Sequence, residues 1–133
     1  MTITVANLKD VKEGIRCDRV SMLGNPFHME TESSRLLVVK TFREYLSAIA
    51  IDEEEPAIVA SRLSAIHEIP ISNTWKRPTH RQFIGELNRV YKITLIEDVT
   101  LLCWCAPLPC HCHVVENYIN WRKNKNAVLN IKS

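Results

Sequence analysis

Val99-Thr-Leu-Leu-Cys-Trp-Cys105 is a nearly unbroken β-prone apolar run, and it leads directly into Ala106-Pro-Leu-Pro-Cys-His-Cys-His113. A strand that is apolar on both faces must be covered on both, as in the middle of a sheet flanked by helices. Pro107 and Pro109 then turn the chain, and Pro109 suits the first position of a helix. Val114, Val115, Tyr118, Ile119 and Trp121 carry the apolar pattern of that helix to about Lys123. The sequence therefore predicts a strand-turn-helix corner over 99–113.

The rest of the chain is read around this corner. Thr2-Ile-Thr-Val-Ala-Asn-Leu8 alternates like a half-buried strand, and Ile15-Arg-Cys-Asp-Arg-Val20 offers a second short strand or extended stretch. Leu23-Gly-Asn-Pro-Phe27 is a breaker, with Gly24 free to supply an unusual backbone angle and Phe27 pinning the loop to the core. A helix is predicted from about Ser33 to Ala50, capped by Thr31 or Ser33. Leu36, Val39, Phe42, Leu46 and Ile49 form its inner stripe, with Tyr45 beside them. Arg35, Lys40, Arg43 and Glu44 face outward. Asp52-Glu-Glu-Glu55 and Pro56 open a second helix, through about His67, whose pattern runs through Ile58, Val59, Leu63 and Ile66.

A loop over Ile69–Pro78 separates it from a third helix, about Thr79 to Tyr91, buried through Phe83, Ile84, Leu87, Val90 and Tyr91. Ile93-Thr-Leu-Ile96 follows as a short β-prone run, divided from the long one by Glu97-Asp98. From Asn124 the chain reads as a polar tail with a small apolar patch, Ala127 to Leu129. Helices separating strands, with a buried last strand, give a small single α/β domain over 1–133, its sheet mostly parallel and flanked by helices.

Four of the five cysteines and two of the five histidines lie between Cys103 and His113. An odd cysteine count and an N-terminus without a secretory pattern argue against a disulfide scaffold and for a reducing cytoplasm. No stretch reaches the length of a membrane span. A formal net charge of +2 leaves no polybasic segment for nucleic acid. Trp75-Lys-Arg77 with His80 and Arg81 does combine an aromatic with cations, as single-strand binders do. The plainer alternative is a solvated helix entry with Trp75 folded onto the core.

Three motif blocks carry a resemblance. Asp18-Arg19 with Ser21, Gly24-Asn-Pro-Phe27, and Cys103-Trp-Cys-Ala-Pro-Leu-Pro-Cys-His111 resemble the signature of an uncharacterised bacterial and phage family, number four-three-two-six in the domain-of-unknown-function series. The resemblance implies a small α/β domain in a phage or mobile-element context, hence a host cytoplasm, and no settled activity. Members usually follow Cys-His with a small residue and then an acidic one. This chain has Cys112 and His113 there.

Three chemistries compete at the corner. Free amides at the start of the last helix, at the carboxyl edge of an α/β sheet, favour a small anionic or nucleotide-like ligand. Arg19 is then a bidentate partner for it, and Ser21, Gly24, Asn25 and Cys105 complete the binding set. Cys110 in the first helical turn can be a reactive thiol, with His111 nearby or His113 one turn on. Those two positions, Cys110 and His111, are the catalytic candidates if the ligand reacts. Cys103 and Cys105, on one strand face, can also begin a zinc site completed by Cys110, Cys112 or His113. Their spacing is not the usual Cys-x-x-Cys knuckle, so no residue is assigned to metal, and the residues name no cofactor. The preferred reading is a nucleotide-like ligand bound between the Gly24-Asn25 loop and the corner, with an enzyme of nucleotide or modified-base metabolism as one form of it. The alternative is a non-enzymatic phage protein that binds a host macromolecule, with the Cys/His cluster packing or holding zinc.

Overall fold

The computed structural model describes residues 1–132. Its sheet has three parallel strands: β1 (Ile3–Asn7), β2 (Ile15–Arg16) and β3 (Val99–Cys103), in the order β1-β3-β2. Ile3 pairs with Val99 and Asn7 with Cys103 on one side of β3, and Ile15 pairs with Leu101 on the other. The apolar run is thus the central strand, buried along almost its whole length, as its composition requires. Gly14, at the turn into β2, has φ +152°, and a Cβ there would lie 2.5 Å from the Thr100 carbonyl, so glycine lets β2 close onto β3.

Four helices follow the expected order: α1 (Arg35–Ala50), α2 (Pro56–His67), α3 (His80–Thr94) and α4 (His111–Lys132). α4 packs on β1 and β3, α3 on β3, and α1 on the other three helices. Pro56 is the first residue of α2, and Thr79 with Gln82 forms a capping box at the start of α3. The entry to α1 differs from expectation. Neither Thr31 nor Ser33 caps it; a 3-10 turn, Glu32–Ser34, leads into it instead. None of the described helices is long and apolar enough to cross a membrane.

Local sequence misplaces four stretches. Leu36 is 72% exposed, and Val38 and Thr41 take the inner stripe with Phe42, Tyr45, Leu46 and Ile49. Ile58 and Ile66 are exposed while Ala60 is buried, so α2 packs through a narrower face made of Pro56, Val59, Ala60 and Leu63. Ile93-Thr-Leu-Ile96 is the end of α3 and the turn after it, because Thr94 is buried with its hydroxyl on the Tyr91 carbonyl at 2.5 Å. α4 runs past Lys123 through the stretch read as a polar tail. The side chains of the Ala127–Leu129 patch lie outside the described residues.

The core is organised by Tyr45. Its ring meets Phe27, Phe42, Trp75 and Phe83 at centroid distances of 5.5–6.2 Å, three of the four edge-on. Trp75 is therefore a core residue, with Arg77 stacked 5.3 Å from its ring. Phe27 fastens the preceding loop to α1, which sets the position of the site described next.

Candidate functional site

The site lies at the carboxyl end of β3. Asn7, at the end of β1, donates from Nδ2 to the carbonyls of Trp104 (3.1 Å) and Ala106 (2.9 Å), fixing the turn. Leu8 N–H adds a bond to the Cys103 carbonyl at 2.8 Å. Beyond β2, Cys17 N–H donates to the Leu102 carbonyl at 2.9 Å, which carries the Cys17–Asp18–Arg19 segment to the same edge.

The turn after it is tight. Ser21 N–H and Oγ both donate to the Asp18 carbonyl (2.9 and 2.7 Å), and Gly24 N–H donates to the Ser21 carbonyl at 3.1 Å. Gly24 does not supply a left-handed angle; the described glycine with positive φ is Gly14. Gly24 is required because a Cβ would lie 2.6–2.8 Å from the Arg19 backbone. Asn25 Oδ1 accepts from Phe27 N–H at 3.0 Å, and Arg19 donates from Nε to the Asn25 carbonyl and from Nη2 to the Phe27 carbonyl, each at 3.2 Å. Arg19 and its loop thus hold each other in place.

A cavity of about 180 Å³ opens between this loop, the start of α1 and the corner. Of the residues singled out from sequence, Arg19, Asn25, Cys105, Cys110 and His111 line it. Ser21 and Gly24 do not; they shape the turn that presents Arg19. Asp18 also lines the cavity and is paired with Arg16. Trp104 stands at the cavity 54% exposed.

Arg35 is the residue that sequence reading placed wrongly. Helical periodicity puts it on the solvent face of α1, yet its side chain is only 11% exposed and lines the cavity. Its guanidinium donates to both Glu32 carboxylate oxygens (2.7 and 2.9 Å) and to the Pro109 carbonyl at 3.0 Å. Glu32, then the Cys105 thiol, raise its pKa against the cost of burial. The available signal was Glu32 three residues before Arg35, at a helix start that the 3-10 turn swings toward the corner.

The free amides expected at the start of α4 are partly consumed. Cys110 N–H donates to His113 Nδ1 at 3.1 Å, half of a capping box with histidine as the returning side chain, and His113 N–H donates to the Cys110 backbone carbonyl at 3.1 Å. Pro109 precedes this cap and is not the first helical residue. His113 thus meets the Cys110 backbone and not its thiol, so it is neither that thiol's base nor a member of the thiol cluster.

The thiols converge more closely than the sequence suggests. Cys103 Sγ and Cys110 Sγ are 3.4 Å apart, and Cys112 completes a buried trio. Cys17, the one cysteine remote in sequence, joins from beneath, its carbonyl accepting from His111 Nε2 and, at 3.6 Å, from the Cys112 thiol. His111 is buried edge-on against Phe42 at 5.1 Å. Burial pushes its pKa down, and the Cys17 thiol and carbonyl more than offset that, so the net direction is up.

Within the cluster the hydrogen bond with Cys110 draws Cys103 down, and the same neighbour, then Arg35, draws Cys105 down to about 6. Cys110 is pushed up by Cys103 and Cys105. Cys112 is pushed up chiefly by burial. Hydrogen bonding to Cys112 takes Cys17 down to about 6. Cys105 is the one thiol of the five that is not buried.

A family model described as Domain of unknown function (DUF4326) matches residues 4–121, from β1 to well inside α4. The chain belongs to this family. The match takes in the Asp18–Phe27 loop, Arg35 and the whole corner, so every residue lining the cavity lies in the family domain. No curated protein and no solved structure matches the chain.

Proposed function

We propose that this family domain binds a small anionic, nucleotide-like ligand in the cavity between the Asn25 loop, the start of α1 and the corner after β3. The observation that carries the reading is the convergence of two guanidinium groups, Arg19 and Arg35, on one cavity from segments that are otherwise independent. Arg19 is held by the Asn25 and Phe27 carbonyls, and Arg35 by the Glu32 carboxylate and the Pro109 carbonyl, so each is oriented before any ligand arrives. Planar, forked donors suit phosphate and carboxylate oxygens. The location agrees with the general habit of parallel α/β sheets, which bind ligands outside the carboxyl ends of their strands.

The cavity accommodates a phosphate or phosphate-sugar portion. The exposed ring of Trp104 offers a face on which a base can stack. Asn25 spends its side-chain oxygen on the loop, which leaves its amide to a ligand acceptor. In this reading the helix dipole of α4 assists, while the arginines replace the capped amide of Cys110 as the main anion donors. If the bound ligand reacts, Cys105, Cys110 and His111 are the groups beside it. The family resemblance adds a phage or mobile-element setting, in which nucleotides and modified bases are the natural ligand class.

A thermal-shift series with nucleoside monophosphates, nucleoside diphosphates and inorganic phosphate tests the proposal. A ligand present at about 100 times its Kd stabilises the native state by about 2.7 kcal/mol. One member of the series is expected to raise the unfolding temperature by several degrees, and the rise is expected to vanish in Arg19→Ala. No shift with any member, or a shift that survives Arg19→Ala in a folded protein, contradicts it.

A further inference from the structure

We infer that Cys103, Cys110 and Cys112 form a binding site for one zinc ion beside the cavity. The three sulfurs lie within 4.8 Å of one another, and the closest pair is 3.4 Å apart. A zinc ion with Zn–S bonds of about 2.3 Å requires tetrahedral S···S edges of about 3.8 Å, so small side-chain adjustments bring the trio to coordinating geometry. The trio is assembled from the last residue of β3, the residue before α4 and the second residue of α4. The fold thus supplies a ligand set that the linear spacing hides.

Solitary buried cysteines pack against hydrocarbon as small apolar groups. Here three thiols face one another, an arrangement that suits a thiophilic cation better than it suits packing.

A second group, Cys17, His111 and Cys112, is equally compact. It is the less suitable set, because His111 Nε2 is hydrogen-bonded to the Cys17 carbonyl, which can only accept, so the nitrogen would have to give up that bond and its proton to bind a metal. Cys103 and Cys110 line the cavity and Cys112 does not, so the fourth coordination position faces the cavity. A three-ligand site with an accessible fourth position is the arrangement zinc adopts where it also meets a ligand or water. On binding, the three sulfurs coordinate as thiolates and any thiol protons pass to solvent. The resulting negative charge lies next to the cavity that holds Arg19 and Arg35.

The test uses the full reduced chain, titrated with zinc and, as a spectroscopic probe, with cobalt(II). About one zinc per chain is expected, with thiolate-to-cobalt charge-transfer absorption. Cys112→Ala is expected to lose both, and Cys17→Ala to keep both. Absence of the absorption in the parent, or zinc retained by Cys112→Ala and lost from Cys17→Ala, overturns the assignment. If Cys112→Ala fails to fold, X-ray absorption on the parent zinc complex decides. At least three sulfurs at about 2.3 Å support the site, and two or fewer overturn it. The outcome is separable from the nucleotide series, because no thiol substitution enters that series and no nucleotide enters this one.

Discussion

Tyr45→Ala is expected to lower the unfolding free energy by about 3–5 kcal/mol, the range for removing a buried aromatic ring. The ring is fully buried and touches four others, contributed by the Asn25 loop, by α1 itself, by the loop before α3 and by α3. Its loss leaves a cavity that none of those elements can fill without moving. Tyr45→Phe is expected to behave in the opposite way. The buried hydroxyl makes no well-formed hydrogen bond, its nearest polar neighbour being the equally unsatisfied Trp75 indole, so removing it gives up little. Stability should stay within about 1 kcal/mol of the parent or rise. Urea unfolding of the three proteins, with equal m-values, measures both. A loss for phenylalanine as large as the loss for alanine would show that the hydroxyl, and not the ring, organises the core. The effect reaches the site, because Phe27 packs on Tyr45 and offers its carbonyl to Arg19.

The second large effect is on binding. Arg35→Ala is expected to weaken the nucleotide-like ligand about 10–100-fold, the equivalent of one lost charge-assisted hydrogen bond of about 1.5–3 kcal/mol. Stability should change little by comparison, since the partner Glu32 is largely exposed and such pairs contribute about 1 kcal/mol or less. Arg35→Lys should not rescue binding. A lysine keeps the charge but cannot hold Glu32 with two parallel bonds and the Pro109 carbonyl with a third. Calorimetric titration of parent, alanine and lysine proteins with the stabilising nucleotide separates these outcomes. Equal affinity in all three would remove Arg35 from the site.

The elements that sequence made legible are those whose signals are local. The apolar run 99–103 had to be a central strand, Pro56 had to start a helix, and Thr79 had to stand at the start of another. The corner was legible for the same reason; bringing Arg19 and Asn25 to its edge rested on the family motif blocks, because no local signal links residues so far apart in the chain. The misplacements came where tertiary geometry overrides local pattern. Arg35 sits at a helical position that periodicity assigns to solvent, and only the 3-10 turn before it swings it against Pro109. Cys17 is far in sequence from the other thiols, and it reaches them only because β2 pairs with the central strand. His113 looks like a catalytic or metal-binding side chain in sequence, and its ring serves instead to cap the helix that carries it. Gly24 invites an argument from backbone angle, whereas its need for glycine comes from the Arg19 backbone pressed against its Cα.

The most direct test of the proposed site is a ¹H–¹⁵N NMR titration of the parent protein with the nucleotide that gives the largest thermal shift, and with inorganic phosphate alongside. Perturbations are expected to concentrate on the Arg19 and Arg35 side chains, the Asn25 amide, the Trp104 indole and the backbone of Cys105 to His111, with phosphate reproducing the arginine part and not the Trp104 part. Perturbations centred on α2 and α3, or none at saturating nucleotide, would contradict a ligand site at the carboxyl end of β3.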